Sequence, residues 1–268
     1  MSEISGLGHW VEVLTQSELP VLRHTARELA VLREDEEKLS ANSVADAIAL
    51  DPMMTVKLLR YLQQHKHKVQ TTEIIQVEQA LMMLGMKPFF NQVPPEPIME
   101  DVLKPHLAAL PHLLRVVHRS HRASEYARDW AVQLHDLHYE EVRIAALLHD
   151  IAELLMWCFA PVAMLNISAM QQQDRALRSN DVQQQVLGFT LIALQKELAE
   201  KWGLPHLLNT LMDDSCAQQQ RVRNVVLAVN LARHSANGWD DAALPDDYKG
   251  IGDLLRIPSD QVRAMVEA

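Results

Sequence analysis

Apolar residues recur at helical spacing along most of this chain. Leu22, Ala26, Leu29, Ala30 and Leu32 follow Leu19-Pro20 in this rhythm and predict a helix over 21–39. Ser40 and Ser43 are N-cap candidates for a helix over 44–50. Asp51-Pro52 is a second start signal, an Asp cap followed by Pro at the first helical position, where its missing N–H costs nothing. The helix it opens, Met53 to Leu62, turns Met54, Leu58, Leu59 and Leu62 inward. Gln63 to Gln70 reads as a solvated connection, and Thr72 starts a further helix through Ala80, Leu81 and Leu84 to a stop at Gly85. The segment Asn91-Gln-Val-Pro-Pro-Glu-Pro97 cannot continue as regular helix. Long helices are then expected over 111–135, 140–158, 181–202, 205–212 and 220–236. The glutamine runs at 171–173, 183–185 and 218–220 read as polar helix faces or loops. The pattern predicts an all-α bundle in two abutting lobes, 1–92 and 98–268, the second with a C-terminal helical extension.

Composition agrees with helices. The 268 residues are 48% apolar, enough for one large core or two adjoining ones, with only 8 glycines and 5% aromatic residues. A formal net charge of −10 repels phosphate and argues against nucleic acid or an anionic membrane as partner. Two cysteines, Cys158 and Cys216, provide neither a disulfide framework nor metal-ligand spacing. The N-terminal stretch has no basic n-region or continuous apolar h-region, and the longest apolar run is broken by His149, Asp150 and Glu153. A soluble cytoplasmic protein is expected. No glycine-rich phosphate loop is present.

The candidate chemistry lies in Arg143-Ile-Ala-Ala-Leu-Leu-His149-Asp150-Ile-Ala-Glu153-Leu-Leu-Met-Trp157, where a His-Asp pair interrupts an apolar helix. Burying such groups is costly unless they are paired or bound to a metal. At about 100° per residue, Glu153 falls between His149 and Asp150, so all three share one side of the helix. Two readings stay open: a ligand pocket, or a hydrogen-bonded polar seam with Arg143, Arg119 or Arg122 as partner. Glu153 adds negative charge where a phosphate-handling site would want positive, which favours the seam. His65, His67, His135 and His138 stand in polar stretches and read as solvated.

An ordered set of motifs carries a family resemblance. Leu19-Pro20, Val44-Ala-Asp-Ala-Ile-Ala-Leu-Asp-Pro52, Leu58-Leu-Arg60 and Val77-Glu-Gln-Ala-Leu-Met-Met-Leu-Gly85 look like the first half of an HDOD domain. Ser120-His-Arg-Ala123, Ala146-Leu-Leu-His-Asp-Ile151, Leu187-Gly188 and Lys201-Trp-Gly-Leu-Pro205 look like its second half, so the resemblance spans roughly 15–235. It implies an all-helical bacterial signalling module related to the HD phosphohydrolases, with an HD-like second lobe.

HD hydrolases hold divalent metal with an early His, the His-Asp pair and a late Asp, and the metal activates a water. The resemblance therefore makes His149 and Asp150 the motif remnant, with Glu153, Asn230 and His121 as polar neighbours. The early His is expected to be missing. Val117, Ser120, Ala123, Ala127, Ala131 and Leu134 set the inward face, leaving His118 opposite and His121 at its margin. The late Asp is replaced by Asn230, which is neutral, and Leu191 and Met212-Asp213-Asp214 stand where relatives often carry histidines. Asp213 and Asp214 read as an exposed acidic helix end. The expectation is no metal, no cofactor and no catalysis, and a module that works through a protein partner. The alternatives are a divergent metal-dependent phosphohydrolase acting on a nucleotide or cyclic dinucleotide, and a non-catalytic module binding a small nucleotide. Phe89-Phe90 with Pro94, Pro95 and Pro97 is the candidate contact surface, the other reading being that both rings plug a cleft between lobes.

Overall fold

The computed structural model describes residues 6–35, 37–65, 73–174 and 177–267. In chain order the helices are α1 (Leu7–Gln16), α2 (Arg23–Glu34), α3 (Ala41–Ile48), α4 (Pro52–Gln64), α5 (Val77–Leu84), α6 (Met86–Gln92) and α7 (Met99–Val102). They continue with α8 (Leu110–Gln133), α9 (Tyr139–Leu148), α10 (Ile151–Phe159), α11 (Pro161–Gln173), α12 (Ser179–Leu187) and α13 (Leu191–Lys201). The last are α14 (His206–Leu211), α15 (Gln220–His234), α16 (Leu244–Leu255) and α17 (Ser259–Val266). Short 3-10 turns cover Lys104–Ala109, Asp214–Cys216 and Ser235–Asn237. The fold is all-α. Among the described residues the only extended pairing is an isolated parallel bridge between Val21 and Ile98. The expected start of a helix at Thr72, most of the connection before it and His67 lie outside the described residues.

The helices form two compact units. One takes in the chain up to Val116 together with Asp150–Leu204; the other takes in Val117–His149 together with the chain from Pro205. This boundary differs from the one expected at Asn91–Pro97, which falls inside the first unit. The prolines stop helix but not hydrogen bonding. Glu96 offers its carbonyl to Lys57 Nζ at 2.5 Å, and Pro97 accepts from the Val21 N–H at 2.9 Å. Asn91 and Gln92 are also still helical, because Pro88 sits in the first turn of α6, where an N–H has no intrahelical partner to lose.

In the first unit α4 is buried on nearly every side. Its start is fixed by Asp51, whose carboxylate accepts from the Met53 and Met54 N–H groups at 3.0 Å and from the Leu22 N–H at 2.8 Å. The same side chain thereby ties the approach to α2 to the start of α4. Two basic residues interrupt the apolar surface of α4, and both are satisfied locally. Lys57 Nζ donates to the carbonyls of Glu96 and Leu19 and pairs with Glu18 at 3.3 Å. Arg60 donates to Ser17 O, and its guanidinium lies 5.5 Å above the Trp202 ring. Gly85 joins α5 to α6 with φ of 81°, a left-handed value that disfavours side chains. Phe89 and Phe90 then both turn inward, their rings edge to face at 5.0 Å, with Arg33 over Phe90. That corrects the expectation of a contact surface at this pair. One helical turn before the prolines is enough to bury both rings.

In the second unit α15 is the central element and packs against α9, α14 and α16. Arg221 on α15 grips the α8–α9 connection: Nε donates to Asp136 Oδ2 at 2.7 Å and Nη2 to Asp136 Oδ1 at 2.5 Å, while Nη1 reaches Glu141 at 3.3 Å. Asn224 Nδ2 donates to Ala127 O at 3.0 Å, fixing α15 along α8. Two further breaks were not expected. Gly188, at φ of 82°, divides the predicted helix 181–202 into α12 and α13, and Thr190 caps the second by accepting from the Ala193 N–H. The predicted helix 140–158 is divided at His149-Asp150. No single described helix is long and apolar enough to cross a membrane.

Candidate functional site

The run Val142 to Leu148 buries α9, with Val142 and Ile144 through Leu148 all in the core. Helical hydrogen bonding then stops. His149 is the C-terminal cap of α9 and Asp150, at φ −102° and ψ 25°, is the N-terminal cap of α10. The Asp150 carbonyl accepts from the Glu153 and Leu154 N–H groups and so starts α10, while its carboxylate makes no cap hydrogen bond. The His-Asp pair thus occupies a junction, not the middle of one helix, which corrects the sequence expectation. His149 belongs to the second unit; Asp150 and Glu153 belong to the first.

The His149 side chain is 11% exposed, and its Nε2 lies 2.9 Å from Asp214 Oδ1. Asp214 comes from the 3-10 turn after α14. That turn is built by its neighbour: the Asp213 carboxylate accepts from the Ser215 N–H at 3.1 Å and from the Ser215 hydroxyl at 2.8 Å. Asp214 is 53% exposed, as an acidic helix end should be, yet it is engaged. Sequence reasoning missed this contact. The exposed acidic helix end was legible, but nothing local points to a histidine 65 positions away.

The other site residues lie on α8, α10, α13 and α15. His121 on α8 is half-buried and lies 3.6 Å from Glu125 on its own helix. Burial pulls its imidazole pKa below the ordinary value, with Glu125 opposing. Ser120, Ala123, Ala127 and Ala131 are buried on the same helix, whereas His118 is exposed. Asn230 is half-buried on α15 between the buried Val229 and Leu231. Glu153 is half-buried in the first turn of α10, and Leu191 is buried at the start of α13. Two of the expected seam partners are engaged elsewhere. Arg143 Nε donates to Glu140 at 2.8 Å. Arg122 donates to the Tyr126 hydroxyl and lies between the Tyr126 and Trp239 rings, 5.4 Å and 5.5 Å from their centroids.

The donor set does not fit the metal that an HD hydrolase uses. Among the described residues no group of three or more His, Cys, Asp or Glu side chains is placed to hold an ion. Asn230 and Leu191 supply no charge, and the His149 nitrogen facing Asp214 is already hydrogen-bonded. Burial pushes the Cys158 thiol up to about 12, with Asp51 and Glu100 adding to the rise.

Solved structures with the same fold span nearly the whole chain. The MmoQ response regulator of Methylococcus capsulatus aligns with a TM-score of 0.64 at 18% identity, over 90% of this chain and 98% of that one. A virulence factor of Campylobacter jejuni aligns with a TM-score of 0.66 at 18% identity, over 96% of this chain and 95% of that one. An HDOD domain protein of unknown function from Geobacter sulfurreducens aligns with a TM-score of 0.51 at 16% identity, over 97% and 93%. No curated protein matches the sequence. The sequence profile of the HDOD domain matches residues 19–216, most of the chain, and with the helical architecture it shows that this protein belongs to the HDOD family.

Proposed function

We propose that this HDOD protein is a non-catalytic regulatory module of bacterial signal transduction that acts through a protein partner. The observation that carries the reading is the 2.9 Å contact between His149 Nε2 and Asp214 Oδ1. That contact engages Nε2 with a side chain, so this nitrogen is not presented to an ion. The neutral Asn230 supports the same reading, as does the lack of a group of three or more His, Cys, Asp or Glu side chains placed for an ion among the described residues. The description of one similar structure as a response regulator is in keeping with a place in signalling. With formal charge −10 the partner surface is expected to be basic or mixed, and encounter should slow as salt rises.

One observation favours a second reading. Asp214 adds a carboxylate oxygen next to His149, so an imidazole and a carboxylate lie together as part of a ligand set for a divalent cation. A substrate phosphate could complete it, giving a divergent phosphohydrolase or a nucleotide-binding module. Crosslinking and affinity capture from native cytoplasm, run beside nucleotide titration of the purified protein, separates these. Capture of a stoichiometric partner whose binding resists added nucleotide is the expected result. A protein that comes down alone while binding a nucleotide at micromolar concentration would replace this reading with the nucleotide one.

A further inference from the structure

Beyond the segment that the family profile matches, one short ion pair joins α15 to α16. His234 Nδ1, in the last turn of α15, lies 2.6 Å from Asp247 Oδ2, in the first turn of α16. Asp247 is 8% exposed and His234 28%, so the pair is shielded but reachable by protons. The chain between them is the Ser235–Asn237 turn and a loop, and farther along the pair of helices Arg223 on α15 reaches Gly250 O at 3.2 Å and Asp253 Oδ2 at 3.6 Å on α16. The rest of the C-terminus depends on α16. Tyr248 donates to Glu267 Oε1 at 2.8 Å and Arg263 Nε donates to the same oxygen at 3.0 Å, which binds α17 onto α16.

We propose that the His234–Asp247 pair is a pH-sensitive latch that fixes the α16–α17 pair to α15, closed while His234 carries its proton and loosened when the proton leaves. A buried carboxylate needs a charged or hydrogen-bonded partner. The imidazolium supplies both, and its place at the C-terminal end of α15 favours the positive form. The hydrogen bond to Asp247 is the strongest influence and raises the imidazole pKa; burial lowers it, Asp241 in the connecting loop raises it and Arg233 on the same helix lowers it. The net direction is upward from 6.5. The Tyr248 phenol, pushed up to about 12 chiefly by burial, stays neutral across this range and does not compete. The sign follows from linkage. A histidine whose pKa is higher folded than unfolded contributes fully below the unfolded value, and the contribution is lost as pH rises through the folded value. Loosening is therefore an alkaline event, displaced upward from the range of an ordinary histidine, and the latch is firm in mild acid.

Hydrogen-exchange protection factors for 244–266, corrected for intrinsic rates and measured from about pH 6 to about pH 9, test the latch on the intact chain. In the native protein, protection of α16 and α17 should fall roughly tenfold for each unit by which pairing raises the pKa. The His234→Gln variant should show low protection with no pH dependence in this segment. Should that variant fail to fold, the wild-type imidazole resonance of His234 can be followed instead, with α16 amides expected to shift at the same midpoint. Protection that does not change with pH in the native protein, an equal change in His234→Gln, or α16 amides that ignore the His234 midpoint would each overturn the proposal.

Discussion

Asp51 shows how far one side chain can be read from local sequence. Its position before Pro52 announces an N-cap, and the structure bears this out with two N–H bonds from α4. The third bond, from Leu22, comes from 29 positions away and was invisible in the motif. Burial pushes the Asp51 carboxyl above its ordinary range, while the Met54, Leu22 and Met53 N–H groups and the Thr25 hydroxyl pull against it. Its raised folded pKa means that Asp51 does not weaken the fold as pH drops; it binds protons more readily folded than unfolded. We expect Asp51→Ala to cost at least about 1–3 kcal/mol, the penalty for leaving buried donors unpaired, read as a lower midpoint in denaturant. An unchanged midpoint would mean that water replaces the carboxylate. Phe89 and Phe90 mark the opposite case. Their adjacency before a proline run suggested exposure, but orientation is set by where α6 ends, and that depends on tertiary contacts to Glu96 and Pro97.

Breaks between elements were harder to see than the elements themselves. Helical periodicity placed the bodies of α4, α8 and α15 closely, whereas the helix expected to reach 39 ends at Glu34 in α2. It ran straight through His149-Asp150, because both flanks are equally apolar and the interruption is a backbone change at Asp150 that no proline or glycine signals. Gly188 did carry a signal, as part of Leu187-Gly188, yet the periodicity on both sides overrode it. Two element contacts yield predictions. Arg221 holds the α8–α9 connection to α15, and Arg221→Met should cost about 1.5–3 kcal/mol, the range for hydrogen bonds to charged groups. Its pH dependence is diagnostic. Burial pushes the Asp136 carboxyl up, but Arg221, the His138 N–H and nearby positive charge outweigh it and hold the pKa below 3.8. Such a carboxylate stabilises the fold fully above the ordinary value, and loses that contribution as pH falls through its lowered folded value. The stability gap between wild type and Arg221→Met should stay constant near neutrality and narrow in acid, as urea titrations at several pH values can check. At the α16–α17 corner, a Cβ on Gly252 would stand 2.7 Å from the Ile257 carbonyl oxygen, a backbone atom that cannot swing aside. Gly252→Ala should therefore lose about 1–3 kcal/mol to overpacking, with the loss appearing first as exchange in α16 and α17.

For the whole molecule, the fold class was legible and the partition into units was not. Composition, spacing and ordered motifs were enough for an all-α HDOD chain, because each reports local preference or a run of neighbours. The units are discontinuous in sequence, since Asp150–Leu204 groups with the N-terminal segment. A boundary of that kind depends on which distant helices pack, so no proline cluster could mark it. The candidate site divides in the same way. Asn230 and Leu191, the positions singled out by the family resemblance, could be picked out in the sequence, whereas the engagement of His149 by Asp214 needed coordinates. We propose that this arrangement serves regulation and not metal-dependent hydrolysis. The most direct test is phosphodiester turnover by protein purified without chelator, assayed with cyclic dinucleotides and a chromogenic diester in saturating Mn, Fe, Ni or Mg, beside His149→Ala. The account predicts turnover no higher in the wild type than in His149→Ala with every metal. Metal-dependent turnover in the wild type that His149→Ala abolishes would contradict it.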